Sequence, residues 1–125
     1  KESVVGKVFD ITSVPSSFAE ENAEVLAKFL AVTAEMNAMY AADRSAMMDS
    51  IAKEAGMDLE GTTAVIDVFA FPTIDEQLSD AWMGGFLAEY LASSAAALEA
   101  GGKIKALADY SAVVDASYLE AASKM

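Results

Sequence analysis

Only one stretch of this chain has the residues and alternation of a β-strand, and that limits its fold more than any other feature. Residues 4–14 (VVGKVFDITSV) are rich in β-branched side chains. Phe9, Ile11 and Ser13 would face one side, and Val8, Asp10, Thr12 and Val14 the other. Pro15 ends the run. A lone strand has two unpaired edges, which a native protein must pair or cover. The expectation is that the rest of its sheet lies outside these 125 residues, so that the chain is a fragment. The start at Lys1-Glu2-Ser3, without methionine, agrees with a fragment or with processing.

Everything after Pro15 has the period and punctuation of helices. Ser17-x-x-Glu20 reads as a capping box, and Asn22 as a second cap. Val25, Leu26, Phe29, Leu30, Val32, Met36, Met39 and Tyr40 recur at three- and four-residue spacing, which predicts one apolar stripe on a helix over about 17–43. Asp43 caps a helix over about 44–55 that Gly56 stops, and Asp58 caps another over about 58–70. Phe71-Pro72 breaks the pattern, and Thr73-x-x-Glu76 opens a short turn. Ser79 caps a helix over about 79–100 that ends at Gly101-Gly102, and a last helix covers about 106–123. With no repeat or linker, the expected fold is a single, mainly α segment of one strand and about five helices.

Charge and missing residue types exclude several functions. The net charge of −12, from 20 acidic and 8 basic residues, leaves no basic cluster for nucleic acid or anionic lipid. Without cysteine or histidine there is no disulfide, thiol nucleophile, Ser-His-Asp triad or His-ligated zinc. No carboxylate pattern resembles a calcium loop, so the expectation is a protein that is not an enzyme, with no catalytic residues, no metal and no cofactor. No apolar run reaches the about 18 residues that a membrane span needs.

Three ordered segments resemble the taurine-type substrate-binding proteins of ABC importers, within the nitrate, sulfonate and taurine group. The first is Phe9-Asp10-Ile11-Thr12-Ser13-Val14 followed by Phe18-Ala19-Glu20-Glu21-Asn22-Ala23-Glu24-Val25. In the family, a strand carrying an Asp leads into a Phe-Ala-Glu-Lys-His-Pro-Glu-Val-like helix start. The second is Phe71-Pro72-Thr73-Ile74-Asp75-Glu76-Gln77-Leu78-Ser79, with Trp82, Gly84 and Gly85 after it. The third is Ala100-Gly101-Gly102-Lys103-Ile104, then Asp109-Tyr110-Ser111 and Val114-Asp115. The chain departs from the family where Pro15-Ser16-Ser17 replaces Arg-Lys-Asp and Asn22-Ala23 replaces His-Pro. These changes bear on the ligand more than on the fold.

The resemblance implies the C-terminal portion of a two-lobed α/β periplasmic-binding-protein fold of type II. It also implies a small-molecule solute, an ABC permease as partner, and the N-terminal part of the same protein as the remainder of both lobes. The location it implies is periplasmic, or extracellular and membrane-tethered in a Gram-positive organism. Asp10 matches the family's strand Asp, whose carboxylate can accept from a ligand ammonium; the plain alternative is a solvated strand-end carboxylate. Thr12 shares its face and is equally a good strand residue. Trp82 is a candidate pocket wall, or else a packing anchor beside Gly84-Gly85. A negative protein repels free anions, which favours a zwitterion such as taurine over nitrate or sulfate. The competing expectation is a self-contained helical interaction module that forms a homodimer and binds no ligand.

Overall fold

Short-range side-chain bonds decide where several of the helices begin. The computed structural model describes residues 8–125. In order these form α1 (Ser16–Glu21), α2 (Ala23–Ala42), α3 (Arg44–Ala55), α4 (Leu59–Ile66), α5 (Ile74–Leu78), α6 (Phe86–Ala100), a 3₁₀ turn (Ser111–Val113) and α7 (Ser117–Ala122). Asp43 Oδ1 accepts from the Ala46 amide at 3.1 Å, and Asp58 Oδ1 from the Gly61 amide at 2.7 Å. Each satisfies an amide that the helix itself leaves without a partner. Asp58→Ala should therefore lower stability by about 1 kcal/mol, read as a lower urea midpoint at unchanged slope. At the other end of α3, Gly56 takes φ 66°, and the Met57 amide reaches back to the Ala52 carbonyl at 3.0 Å. A residue without Cβ enters that left-handed conformation at little cost.

The capping box expected at Thr73 is formed in both directions. The Glu76 amide donates to Thr73 Oγ1 at 3.3 Å, and the Thr73 amide donates to Glu76 Oε2 at 2.7 Å. The Thr73 amide, and after it the Thr73 hydroxyl, hold the Glu76 carboxyl below the usual carboxylate range. Asp109 and Asp115 are lowered in the same way by the hydroxyls and then the amides of Ser111 and Ser117. Glu24 is lowered by its hydrogen bond to Lys28 and then by that residue's charge. Because the folded-state values are depressed, this stabilisation is complete above the unfolded carboxylate value of about 4. It is lost as pH falls through the lower folded values. Ser111→Ala is expected to move the Asp109 titration, followed by carboxyl-carbon NMR, back up toward the ordinary range. An unmoved titration would show that the Ser111 hydroxyl plays no part.

Several expected elements change their limits. Residues 8–14 have no regular structure, and no strand occurs among the described residues; residues 4–7 of the expected strand lie outside them. Within the described residues no second strand exists to accept a ladder. The helix expected over 17–43 is interrupted at Asn22, whose Nδ2 donates back to the Phe18 carbonyl at 2.9 Å and which makes no side-chain cap for α2. Nor does Ser17 cap α1, which follows Pro15 directly. The helix expected over 58–70 stops at Ile66 in tight turns ahead of Phe71-Pro72. The helix expected over 79–100 begins only at Phe86, after a folded loop. Between 106 and 123, Asp109 and Asp115 accept from amides two residues ahead at 2.8 and 2.9 Å. Such side-chain turns compete with helix, and only the 3₁₀ turn and α7 remain of the expected long one.

The core is small and alanine-rich. α2 lies chiefly on α7 and also on α3, while α3 packs on α4. Leu26, Ala27, Met48, Ala52, Leu119 and Ala122 are buried among these helices, and Ala95 is buried on α6. Thr62, 2% exposed, has its hydroxyl satisfied by the Asp58 carbonyl at 2.8 Å. The stripe expected on α2 divides in two. Leu26 is buried and Leu30 and Tyr40 are half-buried, whereas Val25, Phe29, Val32, Met36 and Met39 are all exposed. The apolar set spans too much of the helix circumference for one packing face to cover it. A compact domain of 13.1 kDa is expected to expose about 6,400 Å² by the usual scaling with mass, and this chain exposes 9045 Å².

Candidate functional site

Trp82 is positioned by a loop that only glycine can close. Residues 79–85 fold back between α5 and α6. The Trp82 and Gly84 amides both donate to the Ser79 carbonyl, at 2.9 and 3.0 Å, and the Phe86 amide donates to the Asp80 carbonyl at 3.1 Å. Ser79 ends α5 rather than starting α6, its hydroxyl donating to the Glu76 carbonyl at 2.6 Å. A Cβ on Gly84 would lie 2.9 Å from the Asp80 nitrogen and from the Ser79 carbonyl carbon. Backbone atoms cannot yield as a flexible side chain does, so Gly84→Ala should displace the loop. Trp82 is the only tryptophan, and a shifted emission maximum in a variant that keeps its helical circular dichroism is the expected result. Unchanged emission would mean that the loop absorbs the methyl group.

Trp82, Phe86 and Tyr90 follow at four-residue intervals, and the ring of Phe9 packs against all three. Its centroid is 4.9 Å from Trp82 at 89°, 4.9 Å from Tyr90 at 66° and 5.7 Å from Phe86 at 50°. The Trp82 and Tyr90 pairs have the edge-to-face geometry that aromatic quadrupoles favour. Phe9 thereby anchors the irregular segment 8–14 on the start of α6, and Asp10 is the next residue along. Asp10 and Thr12 are exposed; Trp82 is half-buried in aromatic contacts. The structure thus brings the Asp10 segment to Trp82 and leaves Thr12 two residues farther along in solvent.

Two depressions lie elsewhere. One, of about 300 Å³, is lined by Met36, Tyr40, Met47, Ile51, Ile66 and Phe71 among others. At its rim the Arg44 guanidinium lies 5.8 Å from the Tyr40 ring centroid and pairs with Asp67. Both charged side chains are well exposed, so the pair adds little stability. The other, open and about 600 Å³, runs along α4 past Leu59, Thr63 and Asp67. Neither includes Asp10, Thr12 or Trp82. Among the described residues no three acidic side chains are grouped to hold a metal, and no helix is long and apolar enough to cross a membrane.

Sequence reasoning singled out Trp82 but missed Phe9, which joins it to the Asp10 segment. The four-residue spacing of Trp82, Phe86 and Tyr90 marks one face of the helix expected over 79–100, although Trp82 lies in the loop before α6. Nothing local marks the ring that fills it, since Phe9 lies more than seventy residues away. Comparison with protein-family models, with curated proteins and with solved structures finds no match to this chain.

Proposed function

We propose that this chain is the C-terminal, mainly helical part of a solute-binding protein serving an ABC importer, with taurine or a related amino-sulfonate as its solute. The observation that carries this is the seating of Phe9 on Trp82, Phe86 and Tyr90, which ties the segment carrying the exposed Asp10 to the start of α6. An exposed carboxylate on a segment held in place suits an ammonium group, through a charge-assisted hydrogen bond. The sulfonate would be held by the N-terminal part of the fold. The large exposed surface and the half-covered α2 also suit a segment against which further chain packs.

The test is calorimetric titration of the longer protein containing this segment, with taurine and with ethanesulfonate, which lacks the amino group. Loss of a hydrogen bond to a charged group removes about 1.5–3 kcal/mol. Asp10→Ala should therefore weaken taurine about 10- to 100-fold and leave ethanesulfonate unaffected. Equal taurine affinity in the variant would take Asp10 out of the site, and no binding of either sulfonate by the unaltered protein would overturn the proposal. The alternative, a helical interaction module without a ligand, is favoured by the exposed apolar side of α2.

A further inference from the structure

The outward side of α2 carries Val25, Phe29, Val32, Met36 and Met39, at intervals of four, three, four and three residues, Met36 also reaching the depression beside Met47 and Ile51. This is the spacing of a coiled-coil seam, and all five side chains are between 44% and 58% exposed. Leu26, at one edge of this side, is buried in the core. α2 is therefore apolar on two sides, and a helix of that kind is ordinarily covered on both. Large exposed apolar patches of this sort mark interaction surfaces.

We propose that the occupant of this seam is a second copy of the chain, with the two α2 helices antiparallel about a two-fold axis near Val32. The charges beside the seam select the arrangement. Lys28, which also pairs with Glu24 of its own helix at 2.6 Å, and Glu35 flank the same edge, while the other edge carries the buried Leu26, Thr33 and the half-buried Tyr40, none of them charged. In an antiparallel pair like edges meet, so Lys28 of each copy faces Glu35 of its partner, and the symmetry makes this contact twice. A parallel pair would set Lys28 and Glu35 against the uncharged edge. The apolar layers match as well, Val25 facing Met39 and Phe29 facing Met36 around a central Val32 pair. A dimer through this side of α2 and a longer solute-binding protein whose further chain covers it exclude one another, so the dimer belongs with the alternative reading of the function.

The absence of cysteine allows a direct test on the 125-residue chain. Sedimentation equilibrium should give twice the 13.1 kDa mass at micromolar concentration. Lys28→Glu and Glu35→Lys should each weaken the dimer about five- to tenfold, and the double reversal should restore it. Val32→Glu, which sets two carboxylates face to face on the axis, should leave a monomer with unchanged helical circular dichroism. With a short bismaleimide, Val32→Cys should cross-link to itself. Val25→Cys should not, because the two sulfurs would be offset by 14 residues, about 21 Å along the helices. A mixture of Val25→Cys with Met39→Cys should link. Self-linking of Val25→Cys would overturn the antiparallel pairing in favour of a parallel one. A monomer at all concentrations, or a dimer indifferent to Val32→Glu, would overturn the seam as the contact.

Discussion

Leu119→Ala is expected to reduce the free energy of unfolding by about 2–5 kcal/mol, the range for a leucine truncated in a packed core. Leu119 is 3% exposed on α7, the helix that α2 packs against most extensively. Most of the other buried apolar residues are alanines, which have no longer rotamers with which to fill a cavity. Domains of this size have only about 5–15 kcal/mol in hand, so one truncation takes a large share. Leu107→Ala is the control. Leu107 is 54% exposed, and its loss should stay within about 0.5 kcal/mol. Urea denaturation of the two variants side by side decides the matter. Equal midpoints would mean that α7 does not dock on α2 as described.

Phe9→Ala should produce the next largest effect. The ring makes three aromatic contacts, and pairs of this kind contribute about 0.5–1.5 kcal/mol each beyond the area they bury. Phe9 is half-buried, so the total should fall short of a full core truncation. The expected signs are a red-shifted Trp82 emission and faster proteolysis within residues 8–14, because no strand pairing holds that segment in place. Phe9→Leu, which keeps apolar bulk but loses the edge-to-face geometry, should fall between the two. Unaltered emission in Phe9→Ala would separate Trp82 from this segment, and with it the physical support for Asp10 as a ligand residue.

The two sites differ in how far they could be read in advance. Trp82 was identifiable as the only tryptophan, beside two glycines, and the structure explains the second feature through the closeness of Gly84 to the Asp80 backbone. The stripe on α2 was visible as periodicity, but its division was not. Spacing places residues on a cylinder, and only the positions of α7 and α3 decide which part of that cylinder is covered.

By itself the sequence determined the helical character of the chain and several of its helix ends. The starts at Asp43, Asp58 and Thr73 and the stops at Gly56 and Gly101-Gly102 depend on bonds spanning only three to five residues. The chemistry that makes each end is therefore written beside it. Tertiary structure decided the rest. Residues 8–14 have the alternation of a strand, yet a strand exists only when another accepts its amides, and here an aromatic contact with α6 takes that place. At 79–85 the Gly84-Gly85 pair disfavours helix, and the folded loop they allow sets Trp82 against Phe9. The loop is held by bonds within a few residues, but the seating of Phe9 on it joins distant parts of the chain, and the energy of that contact exists only once they have packed.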